Sequence, residues 1–233
     1  MSSLFPSFFS FLGSSLGKKI LVALTGMALV VFVFGHMVGN LLVYAGPDAI
    51  NEYGHTLQTL LHGAGIWIAR IGLLVCVVVH IVLTIQVTKE NREARSDRYA
   101  VHKTTRTTNS ARIMILSGLT LLAFIIYHLL HFTVRVGNDY ATYKTSLHGE
   151  TVHDVYRMVI AGFSWWPASL FYIIAMVLLW SHLSHGVQSM FQTVGLSNER
   201  TIPIYKTIAV VFATVILIGN CSIPISVMLG WVK

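Results

Sequence analysis

The sequence predicts an all-α membrane protein of five transmembrane helices, four of them forming a bundle that carries histidines. Three observations lead there. Of 233 residues, 55% are hydrophobic and only 11% are charged, against about 25% charged in an ordinary soluble domain. Five stretches reach the roughly 20 apolar residues that a spanning helix needs. Each must be a helix, because lipid offers no partner to an unpaired backbone group. The same composition excludes a disordered chain, and two cysteines, Cys76 and Cys221, exclude a disulfide scaffold.

In chain order, residues 4–12 are rich in Phe and Ser. They form either a short amphipathic segment along the membrane interface or a disordered tail. The spans fall at about residues 20–44, 64–87, 113–134, 167–191 and 208–229. Lys18 and Lys19 precede the first span, which is too long for a signal h-region and lacks a small-residue cleavage site, so it is retained. The connections are polar or broken by Gly and Pro. With no long hydrophilic block, residues 1–233 read as one domain without a soluble module.

Charge orients the helices. Lys18, Lys19, Lys89, Arg92, Arg95, Arg98, Lys103, Arg106, Arg112, Arg200 and Lys206 lie on one side, with only Glu90, Glu93, Asp97 and Glu199. The other side has Arg135, Lys144, Arg157 and Lys233 against Asp48, Glu52, Asp139, Glu150 and Asp154. The basic side faces the cytoplasm, which puts the N-terminus inside and the C-terminus outside. The net charge of +7 is thus a topology signal, and no nucleic-acid partner is expected.

Six of the eleven histidines fall within spans: His36, His80, His128, His131, His182 and His185. Polar groups at membrane depth are costly and mark function. His36 lies 17 residues past Lys19, and His128 lies 16 past Arg112. At about 1.5 Å per residue, both sit roughly 25 Å from the inner boundary. His80 lies nine residues before Lys89 and His182 ten before Gln192, or roughly 14 Å from that boundary. Two histidines therefore sit at an outer level and two at an inner one. Neutral imidazole suits iron, and facing helices of a bundle can ligate a b-type haem from both sides. The expected pairs are His36 with His128 outside and His80 with His182 inside, in a haem-binding bundle. The alternative is core histidines bonded to backbone or to each other. His131 and His185 follow their neighbours at i+3 and compete for the ligand role; propionate or quinone binding, or simple packing, are their other readings. Gly186, four after His182, and Gly35 and Gly39 beside His36 are expected to leave room for a flat macrocycle.

Other cofactors lack their signatures. No C-x-x-C-H occurs, so haem would not be covalently attached. There is no iron–sulfur cysteine cluster and no G-x-G-x-x-G, and residues 13–19, GSSLGKK, do not make a Walker motif. Such a chain can move electrons but needs partners to oxidise a soluble metabolite.

With these residues in place, the chain resembles the five-helix dihaem cytochrome b anchor subunit of succinate dehydrogenases and fumarate reductases. The carrying segments are TGMALVVFVFGHMVGN around His36, VVVHIVLTIQVTKEN around His80, GLTLLAFIIYHLLHFT around His128 and SHLSHGVQSMFQTVG around His182. The resemblance implies that His36 and His128 bind the outer of two b haems and that His80 and His182 bind the inner. It also implies a bacterial cytoplasmic membrane, an iron–sulfur subunit and a flavoprotein subunit on the inner face, and electron exchange with a membrane quinone, menaquinone in this type. Some relatives carry a glutamate just before the fourth-helix ligand; Trp180 and Ser181 stand there in this chain. Haem subunits of hydrogenases and formate dehydrogenases are the alternative. A histidine-based metal transporter is a third, disfavoured because no span holds an Asp or Glu.

Arg70, in the outer half of span two, would either pair with a haem propionate or snorkel to the interface. Arg157 is a second propionate candidate. The quinone is expected near the outer haem, among Asn51, Glu52, His55 and His62, where a carboxylate or imidazole can exchange protons. The basic loop at 89–112 is the expected docking surface for the iron–sulfur subunit.

Overall fold

A computed structural model describes residues 4–94 and 114–233. Most of the basic loop, including Arg95, Asp97, Arg98, Lys103, Arg106 and Arg112, lies outside the described residues, and so does its expected docking role. The elements are α1 (Leu4–Gly13), α2 (Ser15–Asn40), α3 (Pro47–Thr59), α4 (Ala64–Glu93), α5 (Met114–His128), β1 (Lys144–Leu147), β2 (Glu150–His153), α6 (Val155–Ser164), α7 (Trp166–Thr193) and α8 (Ile202–Met228). Five helical segments are long and apolar enough to cross a membrane: Ser15–Ala45, Pro47–Glu93, Met114–Val134, Trp166–Thr193 and Ile202–Met228. The chain is thus helical throughout its apolar stretches, as a multi-pass membrane protein would be. Residues 4–12, left between an interfacial segment and a tail, fall within the helix α1.

Local chemistry sets the helix boundaries. Ser14 caps α2 by accepting from the Gly17 N–H at 3.1 Å. Proline stands in the first turn of α3, α7 and α8, where a missing N–H costs nothing. Asp154 caps α6 through the Arg157 N–H at 2.9 Å. The Lys18 ammonium pairs with the Glu90 carboxylate, tying the start of α2 to the end of α4. These ends share the inner side of the charge-based orientation. Four of the five tryptophans (Trp67, Trp165, Trp166 and Trp231) are exposed at the opposite, outer ends of α4, α7 and α8. Indole rings concentrate at membrane–water interfaces, and here they would mark the outer one.

Helix α7 is the hub. It packs along α8, where Ala209, Ala213 and Ile216 are fully buried with Leu183, Val187 and Met37. The Trp180 indole N–H donates to Thr214 Oγ1 at 3.0 Å across this seam. Helix α2 packs on α4, α7 and α8, and α5 packs on α7. Among the described residues α4 and α5 have no comparable packing, so the side of the bundle between them stays open.

The outer connections depart from the expected plain loops. Between α5 and α7, β1 and β2 form an antiparallel hairpin, with Lys144 opposite His153 and Leu147 opposite Glu150. Its two-residue turn, His148-Gly149, has φ of 51° and 85°, the left-handed pair that suits a tight hairpin. This hairpin interrupts a chain that is otherwise helical among the described residues, as the helical class expects. Leu147 and Val152 are buried beneath it, and α3 and α6 pack alongside. Together they cap the outer end over a core of Val43, Ile50, Phe163, Tyr172, Ile223 and Val227.

Asn51, only 2% exposed, is the polar pin of this cap. Its Nδ2 donates to Asp154 Oδ1 at 3.2 Å, and its Oδ1 accepts from the Tyr156 N–H at 2.9 Å. Replacing it with Leu leaves a buried N–H and a carboxylate short of partners, at about 1–3 kcal/mol each. Asn51→Leu is therefore expected to lower the thermal midpoint and speed proteolysis of the cap, and Asn51→Asp, which sets a second buried carboxylate against Asp154, should lose at least as much; a melt in detergent with mapped cleavage sites checks this.

His153 supplies a pH test. Its Nδ1 donates to the Tyr143 carbonyl at 2.9 Å, and its Nε2 is buried without a partner. Burial, and then the Arg135 and Lys144 cations, hold its pKa below the usual 6.5, against the Tyr143 carbonyl and Asp154. Because the folded value lies below the unfolded one, stability present above pH 6.5 is lost as pH falls through the folded value. Protection factors in the hairpin, corrected for the intrinsic exchange rate, should fall as pH is lowered below 6.5. That dependence should flatten in His153→Gln.

Candidate functional site

The inner histidines are held by their Nδ1 atoms. His80 on α4 reaches across to α2, with Nδ1 3.2 Å from the Val22 carbonyl and 3.2 Å from Thr25 Oγ1. A carbonyl only accepts, so this nitrogen carries the proton and Nε2 keeps a bare lone pair. His182 on α7 places Nδ1 3.2 Å from Ser117 Oγ on α5. The Ser117 hydroxyl donates to the Met114 carbonyl at 3.0 Å, so its oxygen is left to accept from His182. Both rings are then the same tautomer, with Nε2 free to bind a metal. The two also lie within electrostatic range of each other.

Each ring packs against a glycine beside its hydroxyl partner. A Cβ built on Gly26 would lie 3.2 Å from His80 Cε1, and one on Gly118 would lie 3.6 Å from His182 Cε1. Thr25-Gly26 and Ser117-Gly118 are thus one device used twice. Each precedes an outer histidine, His36 or His128, by 11 residues from the hydroxyl, which is three helical turns and the same helix face. Sequence reading missed these four residues. The repeated hydroxyl–Gly–nine residues–His spacing was the signal that could have found them.

At the outer level His36 and His128 face each other from α2 and α5, with ring centroids 5.7 Å apart and planes at 83°. His36 stacks on Phe32 at 5.3 Å and His128 on Phe124 at 5.9 Å. The Tyr172 hydroxyl on α7 stands 3.2 Å from the Nδ1 of His128 and 3.2 Å from the Nδ1 of His131. One hydroxyl proton can serve only one of them, so the other nitrogen must donate to the tyrosine oxygen. If His128 donates, its Nε2 is bare like those of His80 and His182. His131 reaches this hydroxyl because the helix loosens into a π-turn at Leu129–Val134, directly after His128. Its Nε2 faces the Tyr140 hydroxyl at 3.5 Å. Of the two spare histidines, His131 thus joins the outer cluster. His185 makes no hydrogen bond among the described residues.

These residues fit haem. Two imidazoles on opposite sides of one iron need about 2 Å for each metal–nitrogen bond plus the distance from each nitrogen to its ring centre. The 5.7 Å between His36 and His128 is close to that separation. Among the described residues no three His, Cys, Asp or Glu side chains cluster as a metal site. A porphyrin needs only two protein ligands, because it brings four nitrogens of its own. A Cβ at Gly35 or Gly186 would meet no atom within 4 Å, in keeping with room for a flat group. Gly39 is a correction: the Tyr53 ring of α3 fills its space, with Cε1 2.5 Å from such a Cβ. Between α4 and α5 at the inner end lies a cleft of about 490 Å³, lined by Ile85, Thr88, Lys89, Arg92, Ile115 and Leu119 among others.

The Arg70 guanidinium lies 5.0 Å over the exposed Trp67 ring, the posture of a side chain reaching for the interface. It is near enough to Arg135 to add to the effect of burial in lowering that residue's pKa. Arg135, previously only a unit of charge, thus shares the outer rim with Arg70. Arg157 lies 4.2 Å over Tyr143 in the cap. Asn51 is the structural pin already described. Glu52 is exposed, and His55 Nε2 lies 3.7 Å from Glu150 Oε2. His62 sits in a left-handed turn with Leu61, at φ of 54° and 51°. No hydrogen bond joins Glu52, His55 and His62 among the described residues, although Glu52 and His55 stand three apart on α3. No known protein family, curated protein or solved structure matches the chain.

The tautomers can be read without any cofactor. Ring ¹⁵N shifts of labelled protein should show His80 and His182 protonated at Nδ1. Ser117→Ala should shift His182 toward a mixture while leaving His80 unchanged.

Proposed function

We propose that this chain is the membrane-anchor cytochrome b subunit of a succinate dehydrogenase or fumarate reductase. In this role it holds two b haems that carry electrons between an iron–sulfur partner subunit and a membrane quinone, menaquinone by resemblance. The observation that carries the proposal is the histidine arrangement: an opposed pair, His36 and His128, three turns outward from two histidines whose Nδ1 atoms are already engaged.

When bound, haem supplies one-electron transfer at each of two depths. The protein's own work is to present and hold the ligands. His36 and His128 would hold the outer group, and His80 and His182 the inner. Val22, Thr25 and Ser117 keep the inner rings from rotating, and Tyr172 does the same for His128; such outer partners orient a ligand and raise its basicity. Lys89 and Arg92 border the inner cleft, and Arg70 and Arg135 the outer rim, where cations can pair with propionates. Phe32 and Phe124 flank the outer histidines and keep water from them. The dicarboxylate chemistry belongs to a flavoprotein partner, since nothing in this chain can bind a flavin by a known fingerprint. The inner surface with Lys18, Lys19, Arg200 and Lys206 is where the iron–sulfur subunit would dock.

Absorption spectra of single variants test this. His36→Ala and His128→Ala should each abolish the outer haem alone, leaving about half the reduced b-type α-band. His80→Ala and His182→Ala should remove the inner haem, with a different redox midpoint surviving. A purified protein with no α-band would sink the proposal. Co-purification with a hydrogenase or formate dehydrogenase module would keep the haems but replace the partner.

A further inference from the structure

The electron route proposed above leaves His131 without a task, yet the fold builds a close setting around it. Its ring lies between two phenols. Nδ1 is 3.2 Å from the Tyr172 hydroxyl, and Nε2 is 3.5 Å from the hydroxyl of the buried Tyr140. Phe132 packs beside it, with ring centroids 4.1 Å apart. On α6, Gly162 leaves room for the ring, since a Cβ there would stand 3.3 Å from His131 Cε1. The Asn138 amide donates to the His131 carbonyl at 3.2 Å and so secures the π-turn that carries the ring. Such turns recur at functional sites. With both nitrogens facing phenol oxygens, His131 has none to spare for a metal. His128, by contrast, is engaged at Nδ1 alone among the described residues.

The bond directions along Tyr140–His131–Tyr172–His128 depend on one another. A neutral imidazole carries one proton on two nitrogens, and a phenol donates one hydrogen bond. Suppose Tyr140 donates to His131 Nε2. His131 then donates from Nδ1 to Tyr172, and Tyr172 donates to His128 Nδ1. The His128 proton is left on Nε2, which closes that nitrogen to a metal. In the reverse order His131 donates from Nε2 to the Tyr140 oxygen and accepts from Tyr172 at Nδ1. The Tyr172 oxygen then accepts from His128 Nδ1–H, and His128 Nε2 is bare. Either order makes all three links, and in each the two histidines carry their protons on opposite nitrogens.

We infer that His131 is a positioning residue for His128: by accepting the Tyr172 proton it makes His128 the Nδ1–H tautomer, with Nε2 free for a metal. That the metal is a haem iron rests on the function proposed above; the link between the two tautomers does not. Without His131, the Tyr172 proton has only His128 Nδ1 to go to among the described residues, and His128 is driven to the closed tautomer.

The test uses the full chain with its co-purifying subunits in lipid nanodiscs. Samples are reduced, so that any bound haem iron is diamagnetic. Ring ¹⁵N shifts should place the His128 proton on Nδ1 and the His131 proton on Nε2. His131→Phe keeps an apolar ring of similar size and removes both nitrogens. It should weaken outer haem binding about fivefold to tenfold, the worth of one hydrogen bond. His128 in the haem-free fraction should carry its proton on Nε2. His131→Asn, whose side-chain carbonyl stands near the place of Nδ1, should restore both readings. The inner half of the α-band is the control for folding and should not change. Protons on the same nitrogen of both rings, or a His128 tautomer and haem affinity unmoved in His131→Phe, would overturn the inference. Outer haem lost in His131→Phe but retained in His128→Ala would do so too, by making His131 the ligand. A tautomer change in a protein that binds no haem would keep the link and remove the function proposed above.

Discussion

A neutral imidazole inside a membrane bundle has two nitrogens, and something must decide which one carries the proton. The rest of the candidate site depends on that choice. At the inner level α2 and α5 make it for their neighbours: the Val22 carbonyl, Thr25 and Ser117 hold the Nδ1 atoms of His80 and His182. A polar group at such depth would otherwise cost several kcal/mol. Satisfying one nitrogen frees the other for chemistry and locks the ring against rotation. The same contacts join α2 to α4 and α5 to α7, so the hydrogen bonds that prepare the ligands also pair the helices that carry them.

That pairing explains the shape of the bundle. Helices α2 and α5 each bear an outer histidine and, three turns inward on the same face, a hydroxyl–glycine pair. The hydroxyl fixes the opposite histidine, and at Gly26 the missing side chain also leaves room for the ring, since a Cβ there would stand 3.2 Å from His80 Cε1. Packing is concentrated along α7 and α8, while the side between α4 and α5 is left open. A bundle built only for stability would close that side with apolar contacts.

The outer end is organised differently. There a single phenol, Tyr172, is shared between His128 and His131, and a π-turn is needed to bring the second histidine round. Tyr172 is also part of the apolar core beneath the cap of α3, α6 and the hairpin. Tyr172 thus belongs both to the core beneath the cap and to the outer histidine cluster. The inner level has no such cap among the described residues, and its anchors lie on the helices themselves.

Composition determined the helical class and the five apolar segments, because lipid forbids alternatives, and the basic loops supplied the expected inside–outside sense. Histidine spacing along each helix determined the two depths, since rise per residue is nearly constant. What no one-dimensional pattern could settle is which groups meet across helices. The sequence could not show that Gly39 is filled by Tyr53 while Gly35 and Gly186 face open space. Nor did it show that a hairpin crosses the outer end. The Thr25-Gly26 and Ser117-Gly118 pairs were present in the letters, but their role is legible only once His80 and His182 are seen across the gap. Tautomer choice and ring spacing are properties of contacts between helices, and only the tertiary structure decides those.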